Sequence, residues 1–377
     1  MAQTAFRLLW GCNPAKWDTT TLYAPGLFRT LRNVAVEPSG GYLPVGATWD
    51  SGAITFSGNS PADTFGPDEL VGTYDYAAKW PRFIPDSLHW AVGSRFWMDA
   101  NPSEVTPIYL VLNQEGFCQM SLCIDTSGHL SAWRGLPDVG LNPNNLELWN
   151  SGVALDTGVW HRLGFWGLVA SVNGWFDVYQ NGQHLTFTAG KITHIHAIIP
   201  WTGIGFGGTS DMKHSHLYIG CGIPETVQNF QRRGSFLSIP GLPSADGSYT
   251  AWASNVATRY QALDEAPPDD GTTRIASDTV GAIYTVERES LTGTRGILGI
   301  QQTARYMRPD DTAYALRQCV TVDDVVYPAT TLAADAAEVW AFDQPEVLLV
   351  DPSNSLPFTR ARLNERIEWG GIVHGSP

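Results

Sequence analysis

Two pairs of histidines have a spacing that could do chemistry: His194 and His196 form one H-x-H, and His214 and His216 form another. Alternate residues of a β-strand share a face, so each pair could present two imidazoles to one zinc ion. If the two segments paired in register, four nitrogens would converge. The neighbours favour a plainer reading. Ile195 and Ala197 give 193–199 an alternating apolar face, which would turn both histidines outward into water. A histidine at intermediate burial with no ligand is also the more common case.

Tryptophans are the second lead. Trp160, Trp166, Trp175 and Trp201 lie close to predicted hairpins. An exposed indole can stack on a sugar ring, although core packing is the usual fate of large aromatics. Trp160 is expected in the core. Trp175 and Trp201 sit beside glycine and turn residues and are expected at the surface, where with Asn181 they are the candidate glycan contacts. Five cysteines, Cys12, Cys118, Cys123, Cys221 and Cys319, form no C-x-x-C pair and are odd in number. That suggests buried free thiols rather than a disulfide framework or a zinc ribbon.

The elements that must position these residues are strands. Of 377 residues 43% are hydrophobic, 11% aromatic and only 16% charged, with 38 Gly and 24 Pro. That mixture favours short strands and tight turns over long amphipathic helices. Trp90, Val92, Phe96 and Met98 recur at even spacing, as a half-buried strand requires. The continuous apolar run from Ile108 to Leu112 suits a strand covered on both faces. Met120, Leu122 and Ile124 alternate up to a turn at Asp125-Thr126-Ser127-Gly128. A long run from Val159 to Val169 breaks at Asn173-Gly174. The strand that follows turns at Asn181-Gly182, a strong hairpin signal. A short strand over 216–220 closes the region.

The length suits two domains. Residues 240–271 are rich in turn formers and read as a connection between them. Beyond it, 299–307 and 312–320 read as paired strands around Pro309-Asp310-Asp311. Asp323-Asp324 makes a further hairpin turn, 338–342 and 347–350 look like strands, and the one plausible helix runs near Arg360 to Ile367.

Between Trp90 and Gly220 this pattern resembles the laminin-G-like, or concanavalin A-like, jelly roll. The segments that carry the resemblance are Gly158-Val159-Trp160-His161-Arg162-Leu163 and Gly174-Trp175-Phe176-Asp177-Val178-Tyr179-Gln180-Asn181-Gly182-Gln183, closed by His214-Ser215-His216-Leu217-Tyr218-Ile219-Gly220. Ser215 and His216 stand where that family has an acidic pair. The resemblance implies a calcium site at the sandwich rim with Asp177 and Asp211 as candidates, which the missing acidic pair weakens. It also implies glycan binding at the rim.

The C-terminal part resembles a second domain behind such modules in structural proteins of tailed bacteriophages. The carrying residues are Leu242-Pro243-Ser244-Ala245-Asp246-Gly247, Trp252, 263–270, Ser277-Asp278-Thr279-Val280-Gly281 and 357–370. The expected fold class is therefore all-β: a concanavalin A-like jelly-roll sandwich over 1–241, including an N-terminal arm, and a second, smaller β-sandwich over 242–377. The resemblance implies a virion protein that is not an enzyme. It would be tail- or fibre-associated with a lectin-like sandwich facing the host surface. The alternative is a capsid decoration protein bracing the head, and a glycan hydrolase is the third reading. Other virion proteins, further copies of the chain and a host surface glycan are the implied partners.

Catalysis finds little footing in the sequence. The hydrolases of the sandwich family carry E-x-D-x-x-E, which places two carboxylates on one strand face, and this chain contains no E-x-D. Asp125, Asp156, Asp177 and Asp211 are scattered and read mostly as turn residues. Ser244-Ala245-Asp246-Gly247-Ser248 loosely resembles a sialidase Asp-box, and a single degenerate copy reads as a turn. A net charge of −14 argues against a nucleic-acid partner. No apolar run approaches a bilayer span, and Met1-Ala2-Gln3-Thr4 shows no signal-peptide pattern, so the expectation is synthesis in a host cytoplasm and assembly into a virion. No resident cofactor is expected beyond the calcium or zinc just weighed.

Overall fold

The computed structural model describes residues 7–12, 34–37, 39–41, 43, 53–56, 89–113, 118–137, 145–194, 201–221, 239, 241–264, 272–292, 296–302, 304–307, 314–329, 341–342 and 347–375. The chain forms two compact units that divide between Ile239 and Pro240.

The first unit carries β1 (Arg7–Cys12), β2 (Val34–Glu37), β3 (Ala53–Phe56), β4 (His89–Met98), β5 (Thr106–Asn113), β6 (Cys118–Ile124) and β7 (His129–Arg134). It continues with β8 (Leu146–Ala154), β9 (His161–Leu168), β10 (Gly174–Gln180), β11 (Gln183–Lys191), β12 (Trp201–Phe206) and β13 (Met212–Cys221). An eight-stranded antiparallel sheet has the order β11-β10-β9-β4-β13-β3-β2, with β1 also on β13, and a five-stranded sheet has the order β12-β5-β6-β7-β8. The two sheets face each other as a jelly-roll sandwich. Ser94 of β4 meets Tyr109 of β5 across the interior at 2.7 Å, and the Tyr109 ring lies edge-on to Phe206 of β12.

Strand parity decides which side chains enter that interior. Trp90, Val92, Phe96 and Met98 of β4 are buried with Phe165, Phe176, Val178 and Leu122, the core that period-two patterning predicts. All of β5 is buried, matching its continuous apolar run. The β10–β11 hairpin turns with Asn181 at φ 51° and Gly182 at φ 84°, the left-handed pair of a primed two-residue turn.

Strand β13 departs from regular pairing. It is longer than the sequence indicates, and its register on β4 slips between Ser215↔Arg95 and Tyr218↔Gly93. The extra residue is a β-bulge in which buried His216 takes φ 49°. Before the bulge β13 pairs with β3, and after it with β1.

The second unit is built on a sheet of order β14-β17-β24-β20-β21. Its strands are β14 (Pro243–Thr250), β15 (Ala253–Ser254), β16 (Ile275–Ala276), β17 (Ile283–Arg288), β18 (Ile300–Gln301), β19 (Arg305–Tyr306), β20 (Tyr314–Val322), β21 (Val325–Pro328), β22 (Ala341–Phe342), β23 (Val347–Leu348) and β24 (Ile367–Gly375). Helix α1 (Arg360–Glu365) forms where expected; the Thr359 side chain accepts from the Arg362 N–H at its start, and Leu363 packs with Val320, Val322, Phe358 and Ile367. The Asp323-Asp324 turn joins β20 to β21, both residues at positive φ.

Three sequence expectations need correction. The segment 243–250 is not a connection but the edge strand β14, and turn-forming residues entered it because the register on β17 slips twice. Within it Asp246 is no Asp-box turn: its Oδ1 accepts from the Tyr260 N–H and the Tyr284 hydroxyl, each at 2.7 Å. The segment 299–307 is not one strand paired with 312–320. It holds β18 and β19, which pair with β23 and β22, while β20 pairs with β24 and β21. Trp160 precedes β9, half-buried against Trp97, and His161 is the first buried residue of that strand. The turn expected at 309–311 lies outside the described residues. No helix among the described residues is long and apolar enough to cross a membrane.

Candidate functional site on the outer face of the large sheet

The face of the eight-stranded sheet turned away from the five-stranded one gathers most of the site chemistry. Phe176 and Val178 of β10 enter the core, so Trp175, Asp177 and Tyr179 project to the other side. Asp177 pairs with Trp166 of β9 and with Phe187 of β11, and Tyr179 pairs with His184. The two-residue turn at Asn181-Gly182 sets this register.

Asp177 is not at a turn. It sits mid-strand at 1% exposure, with Oδ1 2.6 Å from Nε2 of His184, whose side chain is 41% exposed. The Tyr179 hydroxyl donates to Asp177 Oδ2 at 3.1 Å. A carboxylate this buried needs such donors, since desolvation alone would cost several kcal/mol. It holds the outward-facing imidazole in one orientation.

Around this pair the aromatics form a platform. Trp175 is half-buried, with its ring 5.7 Å from Phe187 on one side and 5.7 Å from His89 on the other. It packs on buried Ala91, Trp166 and Tyr179, and Phe187 is 50% exposed. Burial lowers the His89 pKa, so that ring is neutral near pH 7 and behaves as another aromatic surface. An aromatic platform beside an oriented imidazole and a carboxylate can stack on a sugar ring and hydrogen-bond its hydroxyls.

Trp175 belongs to this platform, but its proposed companions do not join it. Asn181 lies roughly 20 Å away along β10, and its amide is engaged with the neighbouring strand: Oδ1 accepts from the Arg162 N–H at 2.8 Å. Trp201 begins β12 in the other sheet, opposite Asn113, and its side chain is outside the described residues.

The residues considered for metal do not fit a metal site. His214 is fully buried in the sandwich. Its Nε2–H donates to the Gly207 carbonyl at 2.9 Å, and Phe96, Tyr109 and Phe206 surround the ring. Burial lowers its pKa to about 4, so the ring is neutral and Nδ1 accepts from the Ser94 hydroxyl at 2.8 Å. Ser94 in turn accepts from Tyr109. Both nitrogens are thus committed within the protein. The bulge at His216 breaks the alternation that would have placed it on one face with His214.

His194 follows β11 and is half-buried, while His196 lies outside the described residues. Both edges of β13 are taken by β4, β3 and β1, and 195–199 lie outside the described residues. Asp211 is an exposed turn residue whose carbonyl accepts from Asp99 N–H. Asp177 lies level with Ala91 through β9, and the run from Ala91 to Asp99 is roughly 26 Å, so the two carboxylates share no calcium site. Among the described residues no group of three or more His, Cys, Asp and Glu is placed to hold a metal ion.

Sequence reasoning missed His184, Phe187 and His89. A usable signal existed: a two-residue turn at 181–182 pairs 180 with 183 and 179 with 184, which puts His184 beside the Tyr179 face. The alternation from Trp90 to Met98 likewise sends His89 outward.

No family model and no curated protein matches the chain. Among solved structures it is similar to an endo-β-1,4-glucuronan lyase from the fungus Trichoderma reesei, at 13% identity and TM-score 0.34 over 51% of this chain and 89% of that one. It is similar to domain 4 of AbnA, a GH43 extracellular arabinanase from Geobacillus stearothermophilus in complex with arabinotriose, at 11% identity and TM-score 0.31 over 60% and 100%. Trypanosoma rangeli sialidase matches at 13% identity and TM-score 0.28 over 38% of this chain; the chain spans 22% of that sialidase's length. These likenesses concern the all-β fold alone.

Proposed function

We propose that the chain is a non-enzymatic structural component of a tailed-bacteriophage particle, tail- or fibre-associated, whose first sandwich binds a glycan on the host surface. The observation that carries the glycan part is the Trp175–Phe187–His89 platform with the oriented Asp177–His184 pair beside it. The virion part rests on the resemblance of the segments from Gly158 to Gly220 and from Leu242 onward, and on a composition low in charge and rich in aromatics, as surfaces covered by partners tend to be.

A second reading, glycan cleavage, is favoured by one feature: a buried carboxylate holding a partly exposed imidazole is also how a general base is oriented.

One experiment separates the readings. The full chain and Trp175→Ala are applied to an array of bacterial surface glycans, and bound glycans are then assayed for new reducing or unsaturated ends. Retention without cleavage, reduced about ten-fold or more by Trp175→Ala, supports a lectin-like role. Cleavage that vanishes in Asp177→Asn establishes the enzyme instead. Retention that Trp175→Ala leaves unaltered removes the platform from the account. Immunogold labelling of particles tests the virion part: tail label supports it, head label favours a decoration role, and absence from purified particles overturns it.

A further inference from the structure

We infer that His184 Nδ1 is the specificity-determining atom of the platform, selecting neutral glycans that offer it a hydroxyl or amide N–H over acidic ones. This ligand class deepens the glycan reading above and rests on it.

In a regular strand His184 and Phe187, three residues apart, would point to opposite faces. They share the outer face because β11 carries one extra residue. Val178 pairs with Thr186 and Tyr179 with His184, so Leu185 is left over as a β-bulge. Two ring pairs therefore stand side by side: Phe187 with Trp175 at 5.7 Å and 36°, and His184 with Tyr179 at 5.0 Å and 35°. The cross-strand partners of Phe187 and His184 are Asp177 and Tyr179, two residues apart on β10, which sets the pairs roughly 7 Å from each other. A sugar ring stacked on Phe187 and Trp175 thus brings its substituents to the His184 ring.

The two nitrogens of that ring have different roles. Nε2 lies 2.6 Å from Asp177 Oδ1. A carboxylate only accepts, so it selects the tautomer with the proton on Nε2. Tyr179 supports the arrangement twice, with its ring against the imidazole and its hydroxyl donating to Asp177 Oδ2 at 3.1 Å. Nδ1 is left with a lone pair, on a side chain that is 41% exposed. It accepts from a ligand hydroxyl or N–H and has no proton to give. A ligand carboxylate or sulfate at that place sets lone pair against lone pair, with the Asp177 charge behind the ring. The Arg162 guanidinium lies over Gly182 in the turn, on the far side of His184 from Phe187.

Two measurements on the full chain test this. The first is the nitrogen-15 side-chain spectrum of the histidines at pH 7, with His184 assigned by its loss in His184→Gln. The expected signature is a protonated Nε2 and an unprotonated Nδ1. A ring protonated at Nδ1, alone or together with Nε2, overturns the inference and leaves the glycan reading standing. The second is retention on the bacterial surface glycan array, with neutral and acidic glycans scored separately. Neutral glycans are expected to be retained about ten-fold more strongly than acidic ones. His184→Gln keeps a donor for Asp177 and removes the acceptor, and is expected to lower neutral retention about ten-fold. His184→Asn, whose Oδ1 stands where Nδ1 stood, is expected to recover part of it. If His184→Gln does not fold, the wild-type preference on the array decides. Equal or stronger retention of acidic glycans overturns the neutral class. Neutral retention that Trp175→Ala lowers and His184→Gln leaves unaltered overturns the role of Nδ1 and keeps the platform. No retention of any glycan sinks the glycan reading itself, and this inference with it.

Discussion

His184 Nε2 stands 2.6 Å from Asp177 Oδ1, which joins an exposed ring to a carboxylate with 1% exposure. Removing the ring leaves the carboxylate buried with the Tyr179 hydroxyl but without its shorter partner. His184→Ala is expected to cost about 1–2 kcal/mol in urea unfolding, and His184→Gln, which keeps a donor, less than half of that. Equal losses would mean that the hydrogen bond contributes nothing and the ring acts only by packing.

His214 makes the sandwich acid-sensitive. Its folded pKa is lowered to about 4 from 6.5, so the unfolded chain takes up the proton first. Stability is fully present above pH 6.5 and is lost as pH falls toward 4, amounting to about 2 kcal/mol at pH 5. Unfolding midpoints at pH 7 and pH 5, with an NMR titration of the ring, check both the sign and the size. A ring that titrates near 6.5 in the native protein would contradict the buried, neutral assignment.

Thr193 closes the end of the β9–β10 connection. Its hydroxyl donates to the Leu168 carbonyl at 2.6 Å and accepts from the Ala170 N–H at 2.8 Å, in a space that Gly174 leaves open by having no Cβ. Thr193→Val keeps the shape and removes both bonds. A loss of about 2 kcal/mol is expected, read as a lower denaturation midpoint at unchanged m-value.

Gly182 holds φ 84° in the hairpin turn. Gly182→Ala places a side chain in a left-handed conformation and against the Arg162 guanidinium, for an expected cost of about 1–2 kcal/mol. Because the turn sets the register that brings His184 to Tyr179, glycan retention should fall with stability in this variant. Retention unchanged at full stability would argue that the platform does not depend on the hairpin.

Much of the first sandwich was legible from period-two patterning, because a strand with one buried face has no other way to write its sequence. Val92, Phe96, Leu122 and Phe176 are all core residues on that basis. The pattern failed where pairing is irregular. Turn-forming Ser244, Asp246 and Gly247 sit in a strand because slipped register accommodates them. His216 is itself the bulge residue, so the two-residue spacing from His214 no longer sets a shared face as it would in a regular strand. Of the candidate site, only Trp175 and Asp177 were singled out. Their partners His184, Phe187 and His89 come from strands whose alignment depends on one turn and on one crossover in the sheet order, and no local pattern states the second of these.

The extra residue at His216 acts on β13 as a frameshift acts on a text read two letters at a time. Everything after it is read in the other phase, so Tyr218 faces outward although its number has the same parity as core-facing His214. Deleting that one residue would restore simple alternation and leave Leu217 to Cys221 on the faces they now hold, whereas flattening the bulge with His216 kept would exchange inside for outside from Leu217 onward. A relative that lacks the insertion would therefore carry the same order of apolar and polar residues after that point, one position earlier in its closing strand. Comparisons that count positions without allowing for that change of phase would pass over it.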